Sequence, residues 1–214
     1  MAEKTGRYLV PSDEDFEPDS NKQVLKNYLG VKAKKKMDII EAQELERAET
    51  EIIDIFDENH QFTSKDICFI HEIWLGDIYP SAGKYRTVNM EKDGFLFAVA
   101  NQIETLMSQF ENNFLKKFTP CHFTDMKELA RALAIVHVEF IIIHPFREGN
   151  GRTGRLLADL MVFQANQPSL DFSLIEATED KSGFQSYISA IYAGIGRDYD
   201  PMSKIFYELV LQNK

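Results

Sequence analysis

The sequence predicts a mainly α-helical protein: a helical bundle with a central buried helix–loop–helix and one β-hairpin. Three observations carry this prediction. Apolar residues recur every three or four positions through most of the chain, which is the period of helices packed on a core. Between residues 79 and 98 this period gives way to glycines, a proline and β-favouring side chains. Two apolar segments, Ala130 to Ile143 and Leu156 to Phe163, flank a polar, glycine-rich stretch.

In the N-terminal part we predict three helices. A short one spans Val24 to Gly30, where the glycine closes its C-terminal end. A second runs from Asp38, with apolar residues on one face and acidic residues opposite. Thr63, with Asp66 three residues later, is the signature of a third helix start.

The stretch that loses the helical period is predicted to be a β-hairpin over residues 83–98. Asp93-Gly94 is a strong signal for a tight turn, and strands are expected near Tyr85 to Met90 and Gly94 to Phe97. A lone hairpin is only marginally stable in water, so it must pack on the helical body.

The remaining helices frame the polar stretch. A long amphipathic helix is predicted from Val99 to Phe118. Thr124 is expected to cap the next helix, which runs to about Ile142 and is apolar nearly all round in its second half, as a central buried helix would be. Later helices are predicted at Leu156 to Gln164, Gly183 to Gly196 and Met202 to Leu211.

Length and composition exclude several classes of protein. At 214 residues the chain is long enough for one domain with a sizeable core, and we predict an irregular arm over residues 1–20 and a single domain over residues 21–214. The net charge of −10 argues against nucleic acid as a partner, because phosphate neutralisation needs a basic surface. No run of about 18 uncharged apolar residues is present, so no membrane association is expected. An N-terminus without an apolar signal core predicts a cytoplasmic protein.

The polar stretch, residues 144–155, reads His-Pro-Phe-Arg-Glu-Gly-Asn-Gly-Arg-Thr-Gly-Arg, and its chemistry indicates phosphate. Its last residues open a helix whose first N–H groups lack intrahelical partners and whose dipole favours anions. Gly149 and Gly151 allow the backbone to approach a ligand and form an anion nest. Arg152 and Arg155 lie on one face, where both can fork onto phosphate oxygens. We therefore predict a polyphosphate site.

Two further residues of this stretch indicate group transfer. His144 enters the loop from the buried helix, and a neutral imidazole suits general-base work. Glu148 could hold Mg²⁺, which typically takes one or two carboxylates together with phosphate oxygens. A base, a metal carboxylate and an anion nest together predict transfer of a phosphate-containing group.

A competing pattern uses the same residues. Gly149 to Gly154 match the dinucleotide-binding fingerprint G-x-G-x-x-G, and Asp171 follows about 20 residues later. However, no second β-α-β unit is visible, the flanking segments are helical, and five residues separate the would-be strand from the first glycine. Group transfer is therefore favoured over a dinucleotide site.

The stretch from His144 to Arg155 resembles the core motif of Fic-domain proteins, H-x-F-x-[D/E]-G-N-G-R-x-x-R, at every specified position. The resemblance implies the Fic fold and transfer of AMP from ATP to a hydroxyl side chain of a target protein. It implies that His144 is the general base and that Glu148 positions Mg²⁺ on the α- and β-phosphates. The other motif residues would contact phosphate or fix the loop: an anion hole at Gly149, Asn150 and Gly151, phosphate contacts from Arg152 and Arg155, and a core anchor in Phe146.

The resemblance also implies partners. In this family the hairpin is a flap that binds an extended target segment by strand addition, here along Asn89, Met90, Glu91, Lys92, Asp93 and Gly94. Many members silence themselves with a helix bearing [S/T]-x-x-x-E-[G/N]. Here only Thr87 and Thr124 precede a glutamate by four positions, and neither glutamate is followed by glycine or asparagine. The chain thus resembles the class that a small antitoxin protein inhibits in trans.

Several points stay open at the level of sequence. The transferred group could instead be UMP, phosphocholine or phosphate, and the chain could be a nucleotide-binding module without catalysis. His137 is interpreted as a packing residue, and Arg147 as a surface or hinge residue. Tyr187 and Tyr192 either approach the nucleobase or serve helix packing.

Overall fold

The computed structural model describes residues 15–92, 94–175 and 182–212. Within these ranges the chain forms seven α-helices of eight or more residues and one two-stranded antiparallel hairpin, so the mainly α prediction is confirmed. The helices are α1 (Lys34–Ile55), α2 (Ser64–Leu75), α3 (Ile103–Phe110), α4 (Met126–Ile143), α5 (Asn150–Gln164), α6 (Ser182–Ile195) and α7 (Asp200–Gln212). The strands are β1 (Glu91–Lys92) and β2 (Phe95–Leu96). None of the helices in the described ranges has the length and apolar content of a membrane span.

Helix α4 is the centre of the fold. Eleven of its residues are buried, because α3, α5, α6 and α7 all pack against it. Its N-cap is Asp125 rather than the predicted Thr124. The Asp125 Oδ1 accepts the N–H groups of Lys127 and Glu128 at 2.8 and 3.0 Å, and a carboxylate is the stronger acceptor at a positively polarised helix end.

The N-terminal helices pack on each other. Helix α2 begins with the predicted capping box: Thr63 Oγ1 accepts the N–H of Asp66 at 3.3 Å, and Asp66 Oδ2 accepts the N–H of Thr63 at 2.8 Å. Helix α1 begins at Lys34, four residues before the predicted Asp38. Its buried residues face α2 and the loop between α4 and α5.

The helix predicted from Val24 to Gly30 is wrong, because this segment is irregular. The Asn27 side chain binds the backbone around it: Oδ1 accepts the N–H of Val31 at 3.0 Å, and Nδ2 donates to the Leu25 and Val31 carbonyls at 2.9 Å. An asparagine that satisfies nearby backbone groups in this way competes with the helical hydrogen-bond pattern.

The strand predicted from Tyr85 to Met90 is also wrong, because β1 covers only Glu91–Lys92. The backbone before β1 bonds to a different part of the chain, since the N–H of Arg86 donates to the Pro145 carbonyl at 2.8 Å. This segment therefore runs along the end of α4 instead of extending the hairpin.

The hairpin turn lies where the sequence predicts it. Gly94 has a φ of 85°, in the left-handed region that favours glycine, and Asp93 lies outside the described residues. The register pairs Glu91 with Leu96 and Lys92 with Phe95. Met90 and Phe97 are buried against each other at the base of the hairpin.

The helix predicted from Val99 to Phe118 is present but not uniform. A 3-10 turn (Ala100–Gln102) precedes α3, and a π-helical segment (Glu111–Leu115) follows it. Helix α5 begins at Asn150, directly after the loop, and α6 and α7 lie within two residues of their predicted bounds. The central helix–loop–helix is therefore α4, the loop and α5.

Candidate active site

Two residues with left-handed backbone bound the loop between α4 and α5. His144 ends α4 with a φ of 54°, and its N–H donates to the Phe140 carbonyl at 3.0 Å. Gly149 precedes α5 with a φ of 81°. Left-handed residues at helix ends reverse the chain within a few positions. The C-terminal end of α4 and the N-terminal end of α5 therefore lie at the same place.

Packing explains one of the loop glycines and leaves the other facing open space. A Cβ on Gly149 would lie 2.7 Å from Cζ3 of Trp74 and 3.2 Å from Cδ1 of Leu75. A Cβ on Gly151 would meet no atom within 4 Å. Gly149 thus lets the loop pack on α2, whereas Gly151 leaves bare backbone where a ligand can approach.

Hydrogen bonds between Phe146 and Asn150 fix the conformation of the loop. The Asn150 Oδ1 accepts the N–H of Phe146, and Nδ2 donates to the Phe146 carbonyl, both at 2.8 Å. The Phe146 ring is fully buried and stacks on the His71 ring, with centroids 3.9 Å apart. The Asn150 amide is therefore committed to the loop, and its backbone N–H is the group it can offer to an anion.

His144 lies between the hairpin and the helix that it ends. Its ring stacks on Phe97, with centroids 3.7 Å apart and planes at 15°. Nδ1 lies 3.2 Å from the Ile141 carbonyl, and because a carbonyl only accepts, Nδ1 carries the proton and Nε2 keeps the basic lone pair. Burial, with a smaller effect of the Arg86 charge, lowers the pKa of His144 to about 3, so the ring is neutral at physiological pH.

A cavity of about 980 Å³ lies in front of the loop, within the size range of small-molecule sites. The predicted site residues that line it are His144, Glu148, Gly149, Asn150, Gly151, Arg152, Arg155 and, from the hairpin, Lys92. Side chains of β2 and α6, including Tyr187 and Tyr192, line it as well. The first N–H groups of α5 face this space, which suits an anion.

The other predicted flap residues that the structure describes, Asn89, Met90, Glu91 and Gly94, are not part of the cavity lining. Asn89 Oδ1 accepts the N–H of Ala100 at 2.9 Å, which fixes one end of the hairpin segment. Met90 is buried, and Glu91 and Gly94 belong to the hairpin and its turn. The structure therefore brings the loop residues together around one space and leaves most of the flap at its edge.

Arg152 is held by two carboxylates and an aromatic ring. Its Nη2 lies 2.7 Å from Glu41 Oε2 and 3.4 Å from Glu148 Oε1. The central guanidinium carbon lies 4.4 Å from the centre of the Trp74 ring. The Glu148 Oε1 also accepts the N–H of Gly149 at 3.0 Å. Contacts within the protein thus fix the positions of Arg152 and Glu148.

His137 connects α4 to the two helices that follow the loop. Its Nδ1 lies 3.2 Å from the Gly154 carbonyl and therefore carries the proton, so Nε2 accepts the Tyr187 hydroxyl at 2.9 Å. Burial lowers the pKa of His137 to about 4. Arg155 lies beside this group, with its guanidinium 5.7 Å from the Phe172 ring centre. His137 is buried, and it joins Tyr187 to α5.

Comparison with known proteins agrees with this arrangement. Residues 61–162, which include α2, the hairpin, α4 and the loop, match the sequence profile of the Fic/DOC family. Over these residues, just under half of the chain, the protein is similar to a Fic domain. Helix α1 lies outside the matched residues.

Proteins similar to this chain carry the name protein adenylyltransferase. The chain is 28% identical over 187 residues to protein adenylyltransferase VbhT of Bartonella schoenbuchensis. This alignment covers 85% of this chain and 37% of that protein. It is 31% identical over 117 residues to protein adenylyltransferase Fic of Culex quinquefasciatus. That alignment covers 53% of this chain and 22% of that protein. The chain thus spans well under half the length of these curated relatives.

The fold is also that of solved structures. The N-terminal FIC domain of the Bep8 protein of Bartonella sp. 1-1C superimposes with a TM-score of 0.72 at 21% identity, and the match covers 88% of this chain and 91% of that one. The BepC protein of Bartonella tribocorum, a VirB-translocated effector with bound AMPPNP, superimposes with a TM-score of 0.70 at 22% identity. The match covers 86% of this chain and 91% of that one. At this identity the likeness concerns the fold, and the predicted Fic fold is confirmed.

Two residues that position the loop were not predicted from the sequence. His71 Nδ1 accepts the N–H of Gly83 at 2.9 Å, so its proton lies on Nε2, which donates to the Glu148 carbonyl at 3.0 Å. Burial lowers the pKa of His71 to about 4. The available signal was its position on the buried face of α2, where a histidine needs hydrogen-bond partners.

Arg86 is the second residue, and it joins the hairpin to the end of α4. It is 4% exposed, and its Nε donates to the His144 carbonyl at 2.7 Å. Nη1 and Nη2 donate to the Val88 and Ala98 carbonyls, each at 2.6 Å. Because the last carbonyls of a helix lack intrahelical partners, Arg86 satisfies this end of α4 and fixes both arms of the hairpin to it.

The prediction that Arg147 is a surface or hinge residue is wrong. Arg147 is 7% exposed, its Nε lies 3.1 Å from Asp15 Oδ2, and its guanidinium carbon lies 5.3 Å from the Phe16 ring centre. Of the predicted arm, residues 1–14 lie outside the described residues, but residues 15 and 16 cover the back of the loop. No local pattern indicates this pair, because its members are 132 positions apart.

Proposed function

We propose that this chain is a protein adenylyltransferase, which transfers AMP from ATP to a serine, threonine or tyrosine hydroxyl of a target protein. One observation carries the proposal: the imidazole of His144, with Nε2 as its basic nitrogen, and the N-terminus of α5 belong to the same cavity. A base beside an anion site is what attack on a phosphate group requires. The names of the relatives and the AMPPNP bound by BepC support a nucleotide substrate.

The phosphates of ATP would lie at the N-terminus of α5. The N–H groups of Asn150, Gly151 and Arg152 belong to the first turn, where the helix supplies no acceptors and its dipole attracts anions. The absence of a side chain at position 151 allows close approach to this backbone. Arg152 and Arg155 add positive charge on the cavity wall, for the β- and γ-phosphates.

In the transfer step His144 Nε2 takes the proton of the target hydroxyl. The hydroxyl oxygen attacks the α-phosphorus, a new oxygen–phosphorus bond forms, and the bond to the bridging oxygen breaks, so that pyrophosphate leaves. The imidazole is neutral and ready for this role, because burial lowers the pKa of His144 to about 3. The Ile141 carbonyl holds the Nδ1 proton and thereby directs the basic nitrogen.

Glu148 would hold Mg²⁺. Its carboxylate lines the cavity beside the first turn of α5, and the hydrogen bond from the Gly149 N–H fixes its orientation. The described residues contain no cluster of three or more potential metal ligands. Mg²⁺ binds one or two carboxylates and completes its shell with phosphate oxygens and water, so this site fits an ion that binds together with the nucleotide. Such an ion neutralises phosphate charge.

The target protein would dock along the flap from Asn89 to Gly94. Within the described residues the hairpin has two strands, and an outer strand presents backbone groups that an extended target segment can pair with. Leu96 and Val99 are 65% and 45% exposed beside it and offer apolar contacts. Replacement of Leu96 by a charged residue should weaken target labelling without changing nucleotide affinity; an unchanged KM for the target would contradict this docking mode.

A small antitoxin protein would restrain the enzyme in the cytoplasm. The support is the sequence, in which no serine or threonine starts a complete self-inhibitory motif. A purified inhibitor of this kind should abolish labelling when it is added in slight excess. Undiminished labelling by the chain in a lysate of its own host would contradict the proposal.

The activity itself is tested by labelling proteins in a cell lysate with ATP that carries a tag on adenine. We expect labelled bands that excess untagged ATP removes and that the same excess of UTP or a phosphocholine donor leaves. Stronger competition by either of those compounds would assign a different transferred group. Tight ATP binding without any labelled protein would instead assign a binding module.

A further inference from the structure

A buried carboxylate from outside the family-matched residues reaches the candidate active site. Glu41 lies on α1, before the matched range of 61–162. Its side chain is 5% exposed, and Oε2 lies 2.7 Å from Nη2 of Arg152. Oε1 accepts the Tyr79 hydroxyl at 2.5 Å. Both carboxylate oxygens therefore have a partner, as a buried carboxylate requires.

The same residue also fixes the ring on which Arg152 lies. The Trp74 Nε1 donates to the Glu41 carbonyl oxygen at 3.0 Å, and the Trp74 ring centre lies 4.4 Å from the guanidinium carbon of Arg152. Gly149 permits this arrangement, because any Cβ there would collide with Trp74. Arg152 is thus held at its edge by a carboxylate and on its face by an indole that Glu41 holds in place.

Within the described residues, the carboxylate contacts of Arg152 use one of its three guanidinium nitrogens. Guanidinium carries five N–H groups in one plane. The contacts of Arg152 with Glu41 and Glu148 both use Nη2, and no other residue in the described ranges accepts a hydrogen bond from its Nε or Nη1. Since Arg152 lines the cavity, those nitrogens are the ones available to a ligand.

We propose that Glu41 is a positioning residue, which holds the Arg152 guanidinium in the orientation that binds the polyphosphate of the nucleotide. The proposal rests on the function proposed above. A free arginine side chain loses rotamer freedom when it binds a ligand, and an arginine that is already fixed loses less. Glu41 would thereby increase affinity for a triphosphate although its own charge repels one.

Two substitutions of Glu41 separate the effect of its side-chain length from the effect of its charge. Glu41→Asp keeps the charge but shortens the side chain, so that it cannot reach Arg152 and Tyr79 together. Glu41→Gln keeps the length and an acceptor oxygen but removes the charge. The matched control is Glu44→Asp on the same helix, because the Glu44 Oε2 pairs with Arg47 Nε at 2.7 Å on the surface.

The experiment measures the affinities of each variant for a non-hydrolysable ATP analogue and for AMP by calorimetry with Mg²⁺. Residues that orient the ligands of a metal typically change its affinity by about 10- to 100-fold. Taking the lower end for a residue that orients an arginine, we expect Glu41→Asp to weaken analogue binding about 10-fold and AMP binding less than about 2-fold. Glu41→Gln should weaken analogue binding less than Glu41→Asp does, and Glu44→Asp should match the wild type. Tyr79→Phe should show a smaller loss in the same direction.

Three other results would overturn the proposal. Tighter analogue binding by Glu41→Gln, with no change in Glu41→Asp, would mean that Glu41 acts through its charge alone. Equal losses for the analogue and AMP would mean that it only supports the fold. If the wild-type protein binds neither nucleotide, the proposed function itself fails, and this inference falls with it. The first two results leave the proposed function intact, so the two failures are distinguishable.

Discussion

The loop and the hairpin face the same cavity but are built in opposite ways. In the loop and the first turn of α5, Phe146 and Asn150 are fully buried and His144 is 4% exposed. Side chains from α1, α2 and the segment before β1 bind these residues. In the hairpin each strand has two residues, and Leu96 is 65% exposed. One element is fixed from several directions, while the other has little structure of its own.

This difference fits the two roles that we propose, phosphate chemistry at the loop and target docking at the hairpin. Attack on a phosphate group requires placement of the base and the anion site within fractions of an ångström, which a buried loop provides. Docking of an extended segment requires backbone groups at a strand edge, and a small hairpin can adapt to the segment it meets. Arg86 is where the two elements meet, because it binds the carbonyls of both.

The largest expected effect is that of His144→Ala, which removes the proposed base. Loss of a general base typically costs 10²- to 10⁴-fold in rate, so labelling should fall by about that factor. Affinity for an ATP analogue should change little, since the N-terminus of α5 is untouched. His122→Ala is the control, because His122 is exposed and its Nε2 lies 2.9 Å from the Glu58 carbonyl. A rate loss below about 10-fold would contradict the assignment of the base.

A pair of glycine substitutions compares the two elements directly. Gly149→Ala places a methyl group 2.7 Å from Trp74 in left-handed backbone, so strain and overpacking should together cost about 2–5 kcal/mol of unfolding free energy. Gly94→Ala has the same type of backbone but meets no atom within 4 Å, and should cost only about 1–2 kcal/mol. Urea denaturation of both variants decides; equal losses would mean that the loop is no more tightly packed than the hairpin.

Arg86→Lys should uncouple the hairpin from the base. Lysine keeps the charge but cannot donate to three carbonyls in one plane. Because misplacement by about 1 Å can cost about 10²-fold, we expect kcat/KM for target labelling to fall by roughly that factor while nucleotide affinity stays the same. A parallel loss of nucleotide affinity would show that Arg86 supports the whole domain instead.

The stability of the loop region should depend on pH below about 6.5. Burial holds the folded-state pKa values of His71, His137 and His144 at about 4, 4 and 3, below the unfolded value of 6.5. Their contribution is therefore complete above pH 6.5 and is lost as the pH falls toward those values, by up to about 1.4 kcal/mol per pH unit for each ring.

Asp159 and Glu49 oppose this trend, because burial raises the pKa of both carboxyl groups. Burial raises the pKa of Asp159 from 3.8 to about 6, so its contribution is present at low pH and is lost as the pH rises through 6. Between pH 7 and pH 5 the histidines outnumber these two groups, and unfolding free energy should fall. Urea denaturation at the two pH values checks this; equal or higher stability at pH 5 would contradict the buried, neutral state of the three rings.

The smallest expected effect is that of Leu96→Ala on the hairpin. An exposed side chain of this kind changes stability by at most about 0.5 kcal/mol. Nucleotide affinity should also be unchanged, and only the KM for the target protein should rise. A loss of nucleotide affinity would show that the hairpin is part of the nucleotide site and would weaken the contrast with the loop.

The sequence predicted those features whose cause is local. Apolar period located most helices, and the Thr63–Asp66 pair marked one helix start. The density of glycine, arginine and histidine in residues 144–155 marked residues that the structure brings together around one cavity. Predictions from local sequence patterns were wrong where contacts with distant residues determine the structure. The segment from Tyr85 to Met90 has β-favouring residues, but its backbone bonds to the Pro145 carbonyl.

The residues that support the loop could not be identified from local sequence patterns. Glu41 looked like one of many acidic residues on an amphipathic helix, and only the fold shows that it reaches Arg152. Asp15 and Arg147 likewise meet only because the chain returns to the back of the loop. In this molecule the motif residues could be read from the sequence, and the residues that hold them could not.

The central claim is that the AMP part of ATP moves to a target protein with His144 as the base. Its most direct test compares ATP labelled at the α-phosphate with ATP labelled at the γ-phosphate, using the wild-type chain and His144→Ala on the same target. We predict that the target gains α-label from the wild type alone and never gains γ-label. Transfer of γ-label, or undiminished α-label with His144→Ala, would contradict the account.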